Sequence, residues 1–246
     1  MQAAPYTRGS SAAFLSFMGR RTAETHGGFF LPQLQPGWRV LDAGCGPGTI
    51  TMGLARTVAP GFVTGIDVQD VQFEPAREQA EREGLNVDFR KASVYEFPFE
   101  DGSFDAVFSH ALLEHLAQPA TALAELRRVL KPGGWIGVRA GDMGGMLIDA
   151  ASDGPAQGLA AYLANRQQDS GDPHVGRKLA RLLRETGFTV QNMAASYEVI
   201  TETLLTIGPS LAEQFGAPAF CSLPKRAGTD SLFVALAWCE ATGCAQ

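Results

Sequence analysis

The stretch Val40-Leu41-Asp42-Ala43-Gly44-Cys45-Gly46-Pro47-Gly48-Thr49 decides the fold of this chain. In it an apolar run ends at an acidic residue, three glycines follow at alternate positions, and an amphipathic segment continues to Val58. This order is typical of a buried parallel strand that turns sharply into a helix, whose free N–H groups face the carboxyl end of the strand. Glycine lets a ligand approach the backbone closely there, because a Cβ would block it. The stretch therefore predicts a ligand site at the turn.

Strand-like and helix-like segments alternate from residue 38 to about residue 140. This spacing implies βαβ units, and therefore parallel strands with helices on both faces. The predicted fold class is α/β, a doubly wound, mostly parallel seven-stranded sheet with helical insertions. The segments with strand-like patterns are 38–42, 62–67, 87–92, 104–108, 135–139, 188–193 and 231–238, and those with helix-like patterns are 50–57, 73–83, 119–130 and 174–186.

The whole chain, 1–246, is interpreted as a single domain, because this length suits one open α/β unit. Residues 35–140 form the ligand-binding core, and residues 1–30 form one or two helices that cap it. An irregular segment at 141–173 and a partly helical one at 200–228 are interpreted as insertions after the fifth and sixth strands.

Composition favours a soluble globular protein, since 45% of the residues are hydrophobic and 19% are charged. A net charge of -6 is too acidic for a general nucleic-acid surface, and no apolar run reaches the ~20 residues of a membrane span. Neither nucleic acid nor membrane is therefore expected as a partner. The four cysteines have no metal-site spacing and indicate reduced thiols in a cytoplasmic protein. A disulfide between Cys239 and Cys244 is the less favoured alternative.

Four further motifs accompany the glycine turn. Asp67 ends the second predicted strand about 20 residues beyond it, where doubly wound folds place an acid against ribose hydroxyls. The others are the runs ASVYEFPF at 92–99, SHALLEHL at 109–116 and RVLKPGGW at 128–135. The G-x-G-x-G spacing of the turn also differs from the G-x-G-x-x-G of dinucleotide sites. Together these motifs resemble the class I methyltransferases that use S-adenosylmethionine, in the small-molecule group that methylates quinones, sterols and polyketides.

The resemblance implies a Rossmann-like methyltransferase fold and S-adenosylmethionine as cofactor, with S-adenosylhomocysteine as product and no metal. Asp67 is expected to accept hydrogen bonds from both ribose hydroxyls. Ser93 stands where similar enzymes commonly carry an Asp that binds the adenine amino group, so this contact is neutral and shorter, and a plain turn role is the alternative. The full set of expected cofactor residues is Tyr6, Asp42, Gly44, Cys45, Gly46, Thr49, Asp67, Val68, Ala92, Ser93 and His110.

Methyl transfer from a sulfonium depends mainly on positioning the acceptor and excluding water. A hydroxyl or carbon acceptor benefits in addition from a general base. The candidate bases are His110, at the end of the fourth strand, His115 in the Glu-His-Leu run, and His26 in the cap. For His115 a structural role is the alternative.

The predicted function is methyl transfer to an oxygen or carbon of a small, partly apolar organic molecule by a monomer or homodimer. Arg20 and Arg21 either engage an acidic substrate or the cofactor carboxylate, or remain solvated. The rivals are a cofactor-binding protein that does not methylate, such as a cyclase or scaffold, and, less favoured, an NAD(P)-dependent oxidoreductase. The two insertions are expected to form the acceptor pocket or a lid, unless their helix packs on the sheet or on a partner subunit. Their candidate residues are Met143, Met146, Tyr162, Leu204 and Phe215.

Overall fold

The computed structural model of the protein describes residues 12–150, 160, 171–200 and 232–246. Its described part is organised around one eight-stranded sheet. The strands are β1 (Arg39–Ala43), β2 (Phe62–Asp67), β3 (Val87–Lys91), β4 (Phe104–His110), β5 (Leu130–Gly141), β6 (Leu147–Ala150), β7 (Phe188–Val199) and β8 (Leu232–Ala245).

Helices cover the sheet, and their ends have local causes in the sequence. Pro119 occupies the first position of its helix, where its fixed φ suits the helix and its missing N–H costs nothing. Thr22 and Thr25 form a capping box at the start of the second helix. The α-helices are α1 (Ala12–Gly19), α2 (Ala23–His26), α3 (Thr49–Val58), α4 (Phe73–Arg82), α5 (Pro119–Val129) and α6 (Leu179–Glu185), and short 3-10 helices cover Leu31–Gln33, Leu113–His115, Met143–Gly145 and Gly176–Lys178.

The strands lie in the order β3-β2-β1-β4-β5-β8-β6, and β7 pairs with β8. The five strands from β3 to β5 are parallel, whereas β8 is antiparallel to β5, β6 and β7. The chain winds outward from β1 in one direction and from β4 in the other. The gap between the carboxyl ends of β1 and β4 is therefore the topological switch point, where open α/β sheets bind ligands.

Each face of the sheet has its own hydrophobic core. On one face, Leu123 of α5 and Leu183 of α6 pack with Val107 of β4. On the other, Phe30 of the N-terminal segment packs with Phe108 of β4 in the same cluster as α3. The described residues before β1, from Ala12 onward, thus form a cap on the face that also carries α3.

The predicted α/β class and mostly parallel arrangement are confirmed, but the sheet has eight strands rather than seven. The additional strand, β6, lies in the segment 141–173, which was predicted to be irregular. It forms because β8 extends beyond the end of β5 and offers a free edge, with Leu147 in register with Ala235. A four-residue strand is too short to show a clear alternating pattern in the sequence.

The structure also reports on the cysteines and on membrane-spanning helices. Cys45, Cys239 and Cys244 are free thiols, whereas Cys221 lies outside the described residues. Within the described ranges, no helix combines the length and the apolar character needed to cross a membrane.

Candidate functional site

The glycine turn after β1 is tied to the end of β2 by its backbone. The amides of Gly44 and Cys45 both donate to the carbonyl of Ile66, at 2.8 and 2.9 Å. Gly44, Gly46 and Gly48 have φ angles of 79°, 50° and 77°, in the left-handed region that residues with a Cβ rarely adopt. The alternate glycines are therefore required by the backbone path, which brings the chain from β1 into α3.

Asp67 points at this turn. Its Oδ2 accepts the amide of Gly46 at 3.1 Å, and its Oδ1 accepts the amide of Gln69 at 3.0 Å. Burial raises the pKa of the Asp67 carboxyl, and these backbone hydrogen bonds act in the opposite direction. The carboxylate is thus held beside the glycine turn by backbone N–H groups.

Asp42 is the second carboxyl group at the turn. It is buried, and its Oδ2 accepts a hydrogen bond from the Thr51 hydroxyl at 2.6 Å. Burial, and to a smaller extent the nearby charge of Asp67, raise the pKa of Asp42, whereas the Thr51 hydrogen bond lowers it; together they place it at about 7. A cation entering here would lower this pKa, because an opposite charge favours the carboxylate.

A cavity, here called the loop cavity, lies over the glycine turn. The turn and the start of α3 form one side of it, and the cap and the end of β4 form the other. Five of the predicted cofactor residues therefore share one cavity with two residues of the cap. Its lining consists of Met18, Arg21, Asp42, Gly44, Cys45, Pro47, Thr49, Ile50 and His110.

His110 closes the loop cavity at the end of β4. Its ring centroid lies 5.0 Å from that of His26 and 4.9 Å from that of Trp238. Burial lowers the pKa of His110 well below its usual value, and the positive charges of Arg21, Arg139 and then His26 lower it further. The imidazole is therefore neutral at physiological pH.

The backbone is strained directly after His110. Ala111 has a φ of 53°, the one positive φ at a non-glycine position among the described residues. Its amide donates to the carbonyl of Arg139 at 2.9 Å, which holds the turn against β5. Such strain persists only where the surroundings fix it, and it concentrates at functional sites.

Beyond His110, buried polar side chains continue along the face of the sheet that lies under the cap. Arg139 is in register with His110 on one side and with Glu240 on the other. Its Nε donates to Glu240 Oε1 at 3.0 Å, and its guanidinium lies 4.4 Å from the centroid of the Trp238 ring. The Trp238 Nε1 donates to Glu198 Oε2 at 2.9 Å. We call His110, Arg139, Trp238, Glu198 and Glu240 the buried polar row, in which the two glutamates are partly buried and the other three side chains are buried.

The other predicted cofactor residues lie at the margin of the loop cavity. Val68 follows Asp67 and is 44% exposed. Ala92 donates its amide to the carbonyl of Asp67 at 3.0 Å, which keeps the end of β3 near the turn. Ser93 is exposed, and its Oγ accepts the amide of Tyr95 at 3.2 Å within a local turn. These three contacts stay predictions, and Tyr6 lies outside the described residues.

The three candidate bases do not all lie in the same place. His26 lies beside His110. Its Nδ1 is 2.7 Å from the Thr25 hydroxyl, and its Nε2 is 3.6 Å from Glu198 Oε2. His115 lies in the 3-10 helix after β4, and it is not among the residues that line the loop cavity. The structure thus brings His26 and His110 together, and a role for His115 stays a prediction.

The loop cavity also contains the thiol of Cys45. Burial raises the pKa of the Cys45 thiol well above its usual value, which keeps it protonated and a poor nucleophile. As for metal ions, the described part of the chain contains no group of three or more His, Cys, Asp or Glu side chains placed to hold one.

Sequence reasoning missed most of the buried polar row. A signal was present, because Arg139 interrupts the apolar run of β5, and a charged side chain in a buried strand requires a partner. The sequence did not indicate the partners, since Trp238 and Glu240 lie about a hundred residues further along the chain.

Comparisons with known proteins agree with this geometry. A family profile described as a methyltransferase domain matches residues 40–134. An uncharacterized methyltransferase of Schizosaccharomyces pombe is 37% identical over 145 residues, which cover 56% of this chain and 52% of the relative. An O-methyltransferase of Penicillium expansum is 31% identical over 188 residues, which cover 72% of this chain and 64% of the relative. The chain spans about half the length of the first curated relatives it matches.

A solved structure shows the same fold. The SAM-dependent methyltransferase of Aquifex aeolicus superposes with a TM-score of 0.56 at 20% identity, over 91% of this chain and 96% of that one. The matched residues include Asp67 and, of the loop cavity, Asp42, the glycine turn, the start of α3 and His110, whereas Met18 and Arg21 of the cap precede the match. Residues 40–134 therefore match a methyltransferase domain, and the sheet has the fold of a SAM-dependent methyltransferase.

Proposed function

We propose that the protein transfers the methyl group of S-adenosylmethionine to an oxygen or carbon atom of a small, partly apolar organic molecule. The observation that carries this proposal is the loop cavity, in which Asp42 and the glycine turn face His110 and Arg21. One side of the cavity suits a nucleoside cofactor, and the other side suits a second, polar ligand. The net charge of -6 argues against nucleic acid as that ligand.

The residues at the turn fit the cofactor. A Cβ on Gly44 would lie 3.2 Å from the Leu112 side chain, so a glycine lets the turn pack closely against Leu112. A carboxylate such as Asp67 can accept hydrogen bonds from both ribose hydroxyls. Burial raises the pKa values of Asp42 and Asp67, and a ligand with cationic groups would relieve that cost. When bound, S-adenosylmethionine supplies an electrophilic methyl group on a positively charged sulfur.

The chain's own residues position the reactants and exclude water. The backbone of the glycine turn and Asp67 hold the nucleoside, while Met18 and Arg21 of the cap cover the loop cavity. A covered cavity excludes water, which strengthens the electrostatic interactions inside it and keeps water away from the methyl group. The acceptor lies on the His110 side.

Recognition of the acceptor is assigned to the two insertions, because loops on a rigid scaffold usually determine specificity. Met143 is buried and Met146 partly buried at the start of the first insertion. Tyr162, Leu204 and Phe215 lie outside the described residues. Polar substitutions at Met143 or Met146 are expected to raise the KM for the acceptor more than the Kd for the cofactor.

Calorimetric titration tests the cofactor assignment. S-adenosylmethionine should bind and NADH should not. The Asp67→Ala variant should bind S-adenosylmethionine more weakly by about 1.5–3 kcal/mol, the usual scale for hydrogen bonds to a charged group. The matched control is Asp70→Ala, which removes an exposed carboxylate that pairs with Lys91 at 3.2 Å. Unchanged affinity in a folded Asp67→Ala protein would contradict the assignment.

Product analysis tests the transfer itself. The protein is incubated with S-adenosylmethionine and a pool of phenols, enols and carboxylic acids, and S-adenosylhomocysteine is measured by mass spectrometry. Formation that depends on both the protein and the pool supports the proposed function. Tight cofactor binding with no product from any acceptor would favour the rival, a cofactor-binding protein that does not methylate.

A further inference from the structure

Two side chains of the buried polar row carry buried nitrogen atoms without a well-formed hydrogen bond to any described residue. Nη1 of Arg139 has no acceptor there, and the ring of His110 has only a contact with the Arg139 backbone that falls short of hydrogen-bond geometry. The two residues are only 7% and 5% exposed. Leaving a buried donor unpaired costs about 1–3 kcal/mol, so adjacent unpaired groups point to a ligand that completes them.

The sheet fixes these two groups side by side. His110 and Arg139 are in register on the parallel strands β4 and β5, so their side chains project from the same face. Trp238 contacts both, with its ring centroid 4.9 Å from that of His110 and 4.4 Å from the Arg139 guanidinium. His110 also lines the loop cavity, and it therefore connects the row to the place proposed for the cofactor.

The charges nearest to His110 are positive. Arg21 from the cap, Arg139 from β5 and His26 from α2 all lower its pKa in addition to burial, and no acidic group raises it. The electrostatic field at the His110 ring therefore disfavours a positive charge on the imidazole itself. For the same reason it favours a negatively charged oxygen.

The acidic side chains around His110 are already engaged with other groups. Glu240 of β8 accepts from Arg139 and from the Ser196 hydroxyl at 2.7 Å. Glu198 of β7 accepts from Trp238 and lies 3.6 Å from His26. Glu114 accepts the amide of Gly141 at 3.3 Å. None of these contacts occupies Nη1 of Arg139.

We infer that Arg139 and His110 form an oxyanion subsite, in which their N–H groups hold the ionised oxygen of an acidic acceptor hydroxyl, a phenol or an enol. This inference rests on the proposed function. The hydroxyl proton passes to solvent when the acceptor binds. The oxygen's electron pair then forms the O–CH₃ bond, the C–S bond breaks, and its electron pair remains on the sulfur of a neutral thioether.

This subsite gives His110 a different role from the one that the sequence predicted. A neutral imidazole in a positive field is a good hydrogen-bond donor and a poor proton acceptor. His110 is therefore an oxyanion donor rather than a general base. Trp238 contacts both Arg139 and His110, and it is a positioning residue that holds them on one face of the sheet.

The test uses 4-nitrophenol, whose ionised form is coloured, with 4-nitroanisole as the uncharged comparison. Both are titrated into the protein in the presence of saturating S-adenosylhomocysteine. We expect the bound phenol to ionise about one pH unit lower than in water, a roughly tenfold shift of its ionisation equilibrium. Binding of 4-nitroanisole should be weaker. An unshifted ionisation, equal binding of the two probes, or no binding of 4-nitrophenol overturns the inference.

Variants separate the donor role from a base role. Arg139→Met and His110→Leu should lose most of the shift, whereas His110→Gln, which keeps an N–H donor, should retain it. The matched control is Arg181→Met, which removes an exposed arginine that pairs with Glu185 at 3.0 Å. Loss of the shift in His110→Gln to the same extent as in His110→Leu contradicts the donor role. The wild-type titration decides the main point even if Arg139→Met does not fold.

Failure of this inference is distinguishable from failure of the proposed function. Calorimetry first measures binding of S-adenosylhomocysteine, and its absence would contradict the cofactor assignment alone. In that case the probe titration is repeated on the protein without cofactor. Cofactor binding together with an unshifted probe contradicts only the oxyanion subsite.

Discussion

Asp42 lies at the bottom of the loop cavity as a carboxyl group that burial keeps partly protonated near neutral pH. Its pKa is about 7 in the folded protein, against 3.8 for an exposed Asp. Between these two values the folded state binds more protons than the unfolded state. The free energy of unfolding should therefore fall as the pH rises from about 4 to 7, by at most roughly 1.4 kcal/mol per pH unit from this residue.

The Asp42→Asn substitution removes this titration. Asn keeps an oxygen that accepts the hydrogen bond from Thr51, so the cavity keeps its shape. Urea unfolding of the cofactor-free protein between pH 4 and 8 should show a shallower decline for the variant than for the wild type. Asp70→Asn, which alters an exposed carboxylate, should keep the wild-type decline. Parallel curves for Asp42→Asn and wild type would mean that Asp42 is ionised throughout this range.

At the scale of elements, the sequence predicted the bounds of β1 to β4 better than those of β7 and β8. β2 has the predicted bounds, because Pro60-Gly61 precedes it and the acidic Asp67 ends it. β7 and β8 are several residues longer than predicted. Much of β7 is exposed, so its sequence lacks the alternating pattern that reveals a strand. Pairing with the neighbouring strand, which is not a local property, sets its length.

Arg128 of α5 connects this helix to the chain segment between β3 and β4 through hydrogen bonds and ion pairs. Its guanidinium donates to the carbonyl of Phe99 at 2.8 Å and to Asp101 at 2.7 Å, and it also pairs with Glu125 at 2.6 Å. The side chain is 32% exposed, so solvent weakens these bonds. Arg128→Ala should lower the free energy of unfolding by about 1–2 kcal/mol in urea titrations.

The control for Arg128 is an arginine with a single exposed partner. Arg181 pairs with Glu185 one helical turn away on the surface of α6. Arg181→Ala should change the free energy of unfolding by less than about 0.5 kcal/mol. Similar losses in the two variants would show that the contacts of Arg128 with the loop add nothing to stability.

At the scale of the whole molecule, the sequence predicted the half of the site that is encoded locally. The positions of Asp42, Gly44 and Asp67 follow from strand ends and a turn, which short-range patterns reveal. The buried polar row depends on pairs such as Arg139 with Glu240, which are 101 residues apart in the sequence. Such pairs follow from strand order and register, and neither can be determined from one sequence.

The cap and the sheet domain meet at a contact that only small residues allow. Gly53 of α3 faces Ala23 of α2 so closely that a Cβ on Gly53 would lie 2.5 Å from the Ala23 Cβ. Gly53→Ala should therefore push the cap away, although alanine favours a helix by about 1 kcal/mol. We expect a net loss of about 1–3 kcal/mol of unfolding free energy. Cofactor affinity should also fall, because the cap carries Met18 and Arg21 to the loop cavity.

A second substitution shows whether the contact itself is responsible. Ala23→Gly removes the methyl group that Gly53→Ala would strike, so the double variant should regain stability and cofactor affinity. The coupling energy of the double-mutant cycle should be about 0.5–3 kcal/mol, as for other residues in direct contact. The control is Gly19→Ala at the end of α1, where no atom of the described residues lies within 4 Å of the new Cβ, and it should be neutral. Additive effects of Ala23→Gly and Gly53→Ala would mean that α2 and α3 do not hold the cap through this contact.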